Sequence, residues 1–414
     1  MRSQIDLVNP PANAAEGSDS EGSGRSSRRA ALRLLGGGAG VGALLAAGPA
    51  RTEAWLEQST PTATGPTATP TTQPAAVESL FFRLGDATPV DFPSGASVRF
   101  ARATEFPALS GLSLAVFEVG LDATREMHWH NNAGELGWCL GGTGHMVLLD
   151  DAGASLSFAL DPGSVFFAPK GLPHAFWATG DEPLLILLGF DHQQPATIDF
   201  SQMMPPLPAE VIARAAGVAV GDVPPFPTVA KPFVAPVPGG TAALPSGADD
   251  PAATRFTVRM DDLAGASAGR SAGSGAIAAN IPALVGITTT LMTLEPDVIS
   301  EPHWHPATDE ACFVLSGQVE VGIVGPNGAS QTDVLTSGGL AFVPVNWLHY
   351  LDNVGDEPAQ IILFHDATTS IALGLSQVLS GFPSAVLAAS YGMDPSQLAA
   401  LAAGDPPHFA GLPA

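Results

Sequence analysis

The stretch His128-Trp129-His130-Asn131-Asn132-Ala133-Gly134-Glu135 returns as His303-Trp304-His305-Pro306-Ala307-Thr308-Asp309-Glu310, 175 residues further on. The same offset pairs Gly142 with Gly317, Gly163 with Gly338, Pro169 with Pro344 and His174 with His349. It also pairs Gly180-Asp181-Glu182-Pro183 with Gly355-Asp356-Glu357-Pro358, Ser201-Gln202 with Ser376-Gln377, Pro208 with Pro383 and Gly217 with Gly392. An offset that never changes means no insertion or deletion across the unit, so each copy is one structural repeat.

Around these markers the pattern is that of strands. Met146-Val147-Leu148-Leu149, Ser164-Val165-Phe166-Phe167 and Leu184 to Leu188 are short apolar runs bounded by Gly, Asp and Pro. Their counterparts are Val319 to Val324, Leu340 to Val343 and Ile361 to Phe364. Runs of this length between turn residues predict a β-sandwich or barrel. Each unit then closes with a short apolar helix, Ala209 to Ala216 and Ser384 to Tyr391, that follows a Pro and ends at a Gly. The expected fold is all-β, two tandem barrels each with a short C-terminal helical cap.

Composition agrees and excludes several classes. The chain of 414 residues has 46 Gly and 38 Pro, which favours short strands and many turns over long helices. Its formal net charge is −24, with 40 acidic against 16 basic residues, a surface that repels nucleic acid and anionic membranes. Two Cys exclude a disulfide scaffold and a Cys-rich zinc site.

The repeated motif carries the chemistry. Residues i and i+2 of a strand face the same side, so His128 and His130 point together. Glu135 follows after a short turn, and His174 arrives from a later strand. His303, His305, Glu310 and His349 repeat the set at the same spacings. Three imidazoles and a carboxylate form a mixed N/O site suited to Mn(II), Fe(II), Ni(II) or Zn(II), with positions left open for a substrate. Trp129 and Trp304, between two inward residues, face the opposite side as packing. Cys139 and Cys312 stand at even offsets from the two Glu, on the inward faces of separate barrels. Tyr350 is expected as packing beside the ligand His349. His145, His365 and His408 have no repeated partner and are expected to be solvent-exposed or structural.

At this point the motifs resemble a known family. Gly163-x5-Pro169-x-Gly171-x2-His174 and His128-x-His130-x4-Glu135-x6-Gly142 are similar to the two consensus motifs of the cupin superfamily. The second copy matches too, with Asn346 in place of the inner Gly and Asn353 completing the motif. Ala123-Thr124-Arg125-Glu126-Met127-His128-Trp129-His130 and His349-Tyr350-Leu351-Asp352-Asn353-Val354-Gly355-Asp356-Glu357-Pro358 resemble the bicupin oxalate decarboxylases. The resemblance implies two cupin (double-stranded β-helix, or jelly-roll) barrels, each binding Mn(II) through its four ligands. It also implies a small carboxylate substrate and a trimer or hexamer.

Arg125 occupies the place of the family's substrate-clamping Arg, and a planar, permanently charged guanidinium suits a carboxylate. Ser300 stands at the matching place of the second unit, which favours the first as the catalytic one. Where family decarboxylases carry a proton-donating Glu in a Ser-Glu-Asn lid, this chain has the shorter Phe190-Asp191-His192-Gln193-Gln194-Pro195-Ala196-Thr197-Ile198-Asp199, without Glu. Asp199 or His192 is then the candidate proton donor, because general acid catalysis needs reach and a suitable pKa rather than one residue type. Asp191, matched by Asp366, is expected to be structural. The missing Glu leaves open a bicupin dioxygenase on a phenolic or other bidentate substrate. A non-catalytic metal- or ligand-binding envelope protein is the third reading.

The flanks complete the plan. Residues 1–50 place Ser27-Arg28-Arg29-Ala30-Ala31-Leu32-Arg33 before an uncharged run from Leu34 to Ala50, the form of a secretory signal with paired arginines like those of the twin-arginine route. Export to the periplasm, envelope or exterior is expected, and no stable membrane span. Residues 51–77 read as a Thr/Pro-rich tether and 223–251 as a Pro/Gly-rich linker, leaving barrel domains at 78–222 and 252–414.

Overall fold

The computed structural model describes residues 78–398, apart from 93–94, 230–232, 242–243, 246–248, 264–265, 269–270 and 277–278. The export signal and the tether at 51–77 lie outside the described residues, as does His408.

Each repeat folds into two facing antiparallel sheets. In the first half, the sheet that carries the imidazoles orders Thr197–Asp199, Ala123–His130, His174–Ala178, Gly144–Leu149 and Ser155–Leu160, with Val234–Pro236 also paired to Ala123–His130. Against it lies a sheet built on Glu135–Gly141, flanked by Ser164–Ala168 and Leu184–Phe190. The second half repeats this with Ile299–Trp304, Leu348–Asn353 and Gln318–Val324 facing the sheet of Glu310–Ser316, Gly339–Val343 and Ala359–His365. Side chains alternate between the faces of each strand, and Ala115, Phe117, Phe158, Phe166, Phe176 and Ile186 fill the first interior. The mostly-β architecture and the jelly-roll pattern are as the repeat predicted.

The halves exchange strands. Phe81–Arg83, near the start of the first half, pairs with Gly339–Val343 of the second. Thr257–Arg259 returns the exchange by pairing with Ser164–Ala168. Gly111 and Gly286, one repeat apart, each press against the other half's aspartate: a Cβ would stand 2.5 Å from an oxygen of Asp366 or Asp191. Their φ values of 70° and 79° also fall where glycine is favoured. Trp138 Nε1 donates to Thr289 Oγ1 at 2.9 Å across the same junction. These pairs stitch the two barrels into one body.

Both expected helical caps are present, Ala209–Ala216 and Ser384–Tyr391, each ended by a left-handed glycine, Gly217 and Gly392. Among the described residues no helix is long and apolar enough to cross a membrane. Within 223–251 the chain adds a strand, Val234–Pro236, to Ala123–Arg125. That stretch therefore takes part in the first barrel.

Candidate metal centres

Four donors converge in each barrel, buried and within 4.8 Å of one another: His128, His130, Glu135 and His174 in the first, His303, His305, Glu310 and His349 in the second. Local backbone explains the aim of each. His128 pairs directly opposite His174, while Arg125 pairs opposite Phe176, so three residues on one strand span two on the other. This bulge turns Arg125 onto the inward face, which strict alternation would deny a residue three places before His128. The second half repeats the bulge between Ser300 and His303.

Hydrogen bonds fix the imidazoles as ligands. His128 Nδ1 lies 2.8 Å from Glu126 O, His130 Nδ1 3.2 Å from Ala196 O and His174 Nδ1 3.0 Å from Leu172 O. In the second barrel His303, His305 and His349 set Nδ1 against the carbonyls of Glu301, Ile371 and Trp347 at 2.7, 2.9 and 3.3 Å. A carbonyl accepts only, so the proton sits on Nδ1 and each Nε2 turns a bare lone pair inward. Nε2 of His130 then stands 2.7 Å from Glu135 Oε2, and Nε2 of His305 stands 2.6 Å from Glu310 Oε2. Two lone pairs that close repel unless a cation lies between them. The donor set therefore fits a divalent ion held by three imidazoles and one carboxylate.

Electrostatics keep the groups in ligand form. Burial, the Arg125 cation and His174 together hold His128 well below the ordinary histidine value. Burial alone would raise Glu135, but the adjacent imidazoles of His128, His130 and His174 prevail and hold it well below the carboxylate range. His303 is lowered to about 3 by burial and the neighbouring His349. His305 is the exception: burial would lower it, but the adjacent Glu310 carboxylate raises it above its ordinary value. Glu310 lies well below its ordinary value because His349 and His305 outweigh burial.

The cupin profile matches residues 82–223 and again 270–399. The chain belongs to the cupin family. It is a bicupin resembling oxalate decarboxylase: it is 26% identical over 318 residues to oxalate decarboxylase OxdC of Bacillus subtilis, covering 76% of this chain and 82% of that one. It is 31% identical over 141 residues to a germin-like protein of rice (Oryza sativa subsp. japonica), covering 32% of this chain and 65% of that one. The fold matches the structure of the Bacillus subtilis oxalate decarboxylase at pH 4.6 with a TM-score of 0.69 at 24% identity, over 82% of this chain and 89% of that one. The Lactobacillus farciminis oxalate decarboxylase formate complex also matches, with a TM-score of 0.69 at 22% identity, over 78% and 96% of the two chains.

The two cupin centres differ in what surrounds them. At the first, Arg125 is 2% exposed; its Nη1 donates to Asp199 Oδ1 at 2.7 Å and to Phe233 O at 2.6 Å. Its guanidinium stacks 3.9 Å above the Phe233 ring, and Nη2 is buried with no hydrogen-bond partner among the described residues. Asp199 pairs opposite His128 in the strand register and is 6% exposed. His192 is not among the converging donors: its Nδ1 accepts from the Gln194 amide at 3.0 Å, and its carbonyl takes the Ser113 hydroxyl. Asp191 accepts from Gly134 N and Asp366 from Asp309 N, at 2.6 and 2.8 Å, the structural role expected of both.

Of the two roles expected for His145, solvent-exposed or structural, it takes the structural one: it is 2% exposed and packs against Trp177, with ring centroids 5.6 Å apart. Two other expectations need correction. His365, also expected to be exposed or structural, is 3% exposed and sets Nε2 3.1 Å from Glu310 Oε2. Sequence reasoning missed it as a site residue because its repeat counterpart is Phe190; the signal available was that it ends the strand lying opposite the ligand glutamate. Tyr350 is not beside the ligands: it alternates away from His349, and its hydroxyl donates to Glu320 at 2.8 Å.

Proposed function

We propose that this protein is an exported, Mn(II)-dependent bicupin lyase that removes carbon dioxide from a small carboxylate such as oxalate, and that the first centre does the chemistry. One observation carries this reading: a buried Arg125 nitrogen without a hydrogen-bond partner among the described residues, beside a complete set of metal donors. An unpaired buried guanidinium nitrogen is costly, and a substrate carboxylate would satisfy it. The named oxalate decarboxylases among the relatives support the substrate class.

A divalent ion held by His128, His130, Glu135 and His174 would bind and polarise the substrate carboxylate. Arg125 orients the other carboxylate, and the buried walls of Phe176 and Phe190 exclude water from the reacting carbon. Loss of carbon dioxide from oxalate breaks the C–C bond and leaves a carbon that must take a proton to become formate. Asp199 stands at Arg125 and opposite His128, nearer this chemistry than His192, and is the proton carrier of this reading.

A second reading is oxidation of the same carboxylate, in which oxalate gives two carbon dioxide and its two electrons, with two protons, reduce dioxygen to hydrogen peroxide. It is favoured by the lid segment, whose one acid before Asp199 is Asp191, already bound to the Gly134 amide. Incubating the Mn-loaded protein with oxalate at mildly acid pH separates the two. Formate and carbon dioxide in equal amounts support the lyase; peroxide in place of formate supports oxidation. Metal bound with oxalate untouched removes both oxalate activities.

A further inference from the structure

The carboxylate ligands of the two centres are held very differently. Glu310 has both oxygens engaged. Cys312 Sγ donates to Oε1 at 3.0 Å, and His365 Nε2 lies 3.1 Å from Oε2. His365 Nδ1 is buried without a hydrogen-bond partner among the described residues, so the ring proton belongs on Nε2, where the carboxylate accepts it.

The first centre offers neither contact. One repeat away, Gly137 stands in place of Cys312 and Phe190 in place of His365. Glu135 Oε1 is buried with no hydrogen-bond partner among the described residues. The difference is built into the packing. Gly137 pairs opposite Phe166, and a Cβ there would stand 2.1 Å from the Phe166 ring. Cys312 pairs opposite Ala341, whose small side chain leaves room for the thiol. Phe190 and His365 each pair opposite the ligand glutamate of their own barrel, one with nothing to donate and one with an N–H.

We propose that Cys312 and His365 are positioning residues that lock Glu310 and make the second centre the tighter, slower-exchanging metal site of the two. Groups that hydrogen-bond a ligating carboxylate orient it before the ion arrives, and their loss commonly lowers metal affinity about 10–100-fold. The first centre, whose carboxylate keeps a free oxygen, holds its ion less tightly. This inference rests on reading the two donor groups as metal centres.

Chelator extraction of the Mn(II)-loaded full chain tests it, with released metal followed by a colorimetric indicator. The wild type is expected to release its ions in two phases, the slow one absent in Glu310→Gln. His365→Phe, which installs the residue of the first barrel, and Cys312→Ala should each accelerate the slow phase about 10-fold or more. Cys312→Ser keeps a donor and should retain most of it, a rescue that a packing role would not produce. Circular dichroism and thermal melts confirm that each variant is folded. A single phase in the wild type, or a slow phase unchanged in both folded variants, overturns the inference while leaving the metal centres standing. Failure of the wild type to retain any Mn(II) after gel filtration overturns the metal reading itself.

Discussion

The two barrels of this bicupin share one backbone plan and one set of ligands, yet each pairs that set with different neighbours. The first places Arg125 and Asp199 beside its donors; the second has Ser300 and Gly374 at those positions. The second ties its carboxylate with Cys312 and His365; the first has Gly137 and Phe190. The ligands are maintained by the fold, through carbonyls that fix every imidazole in the same tautomer. What a centre can do beyond binding an ion is decided by four or five other side chains. Fold and function are separable within a single chain.

Exchanging or removing those side chains should break the comparison in a graded way. Arg125→Lys should lower turnover of a small carboxylate at the first centre by about 100-fold or more, because a point charge cannot replace a fork that positions the substrate. Ser300→Ala, its counterpart, should leave steady-state rates unchanged.

Asp199→Ala leaves the buried Arg125 cation with the Phe233 carbonyl as its remaining hydrogen-bond partner among the described residues. Removing one partner of a buried ion pair costs about 3–5 kcal/mol, which urea denaturation would register as a lower midpoint.

Gly137→Cys, which gives the first barrel the residue of the second, should destabilise by about 1–3 kcal/mol through collision with Phe166. The double variant with Phe166→Ala should lose less than the sum of the two single changes, showing that the pair acts as a unit.

The smallest effect concerns the thiols, which are free and buried in separate barrels. Burial pushes Cys139 up to about 12. The thiolate is the reactive form, so at pH 8 only about 10⁻⁴ of it is available. Native protein should resist a thiol reagent that labels both cysteines in urea; prompt labelling of the folded chain would contradict the burial of both.

Much of this was legible in the sequence, and the reason is the repeat. A fixed offset located all eight ligand positions, the strands around them and both helical caps, because ligand spacing on a strand and Gly or Pro at a turn are local properties. The exchange of Phe81–Arg83 and Thr257–Arg259 was not legible. A three-residue strand carries no period of its own, and its pairing depends on which distant sheet edge it meets. Val234–Pro236 escaped for the same reason, within a stretch whose Pro and Gly content reads as a linker. Arg125 was found through its place three residues before His128, but its pairing with Asp199 was not: it joins residues 74 apart, and the repeat keeps the strand register while placing Ser300 and Gly374 at those positions. His365 was missed because searching for what the two units have in common discards what distinguishes them.

The central claim is that both barrels bind metal and that the first alone acts on a carboxylate. Counting Mn per chain and measuring oxalate turnover on the wild type, Glu135→Gln and Glu310→Gln tests it most directly. The account predicts about two ions in the wild type and about one in each variant. It further predicts turnover abolished by Glu135→Gln and largely kept by Glu310→Gln. Turnover that survives Glu135→Gln and is abolished by Glu310→Gln would contradict it.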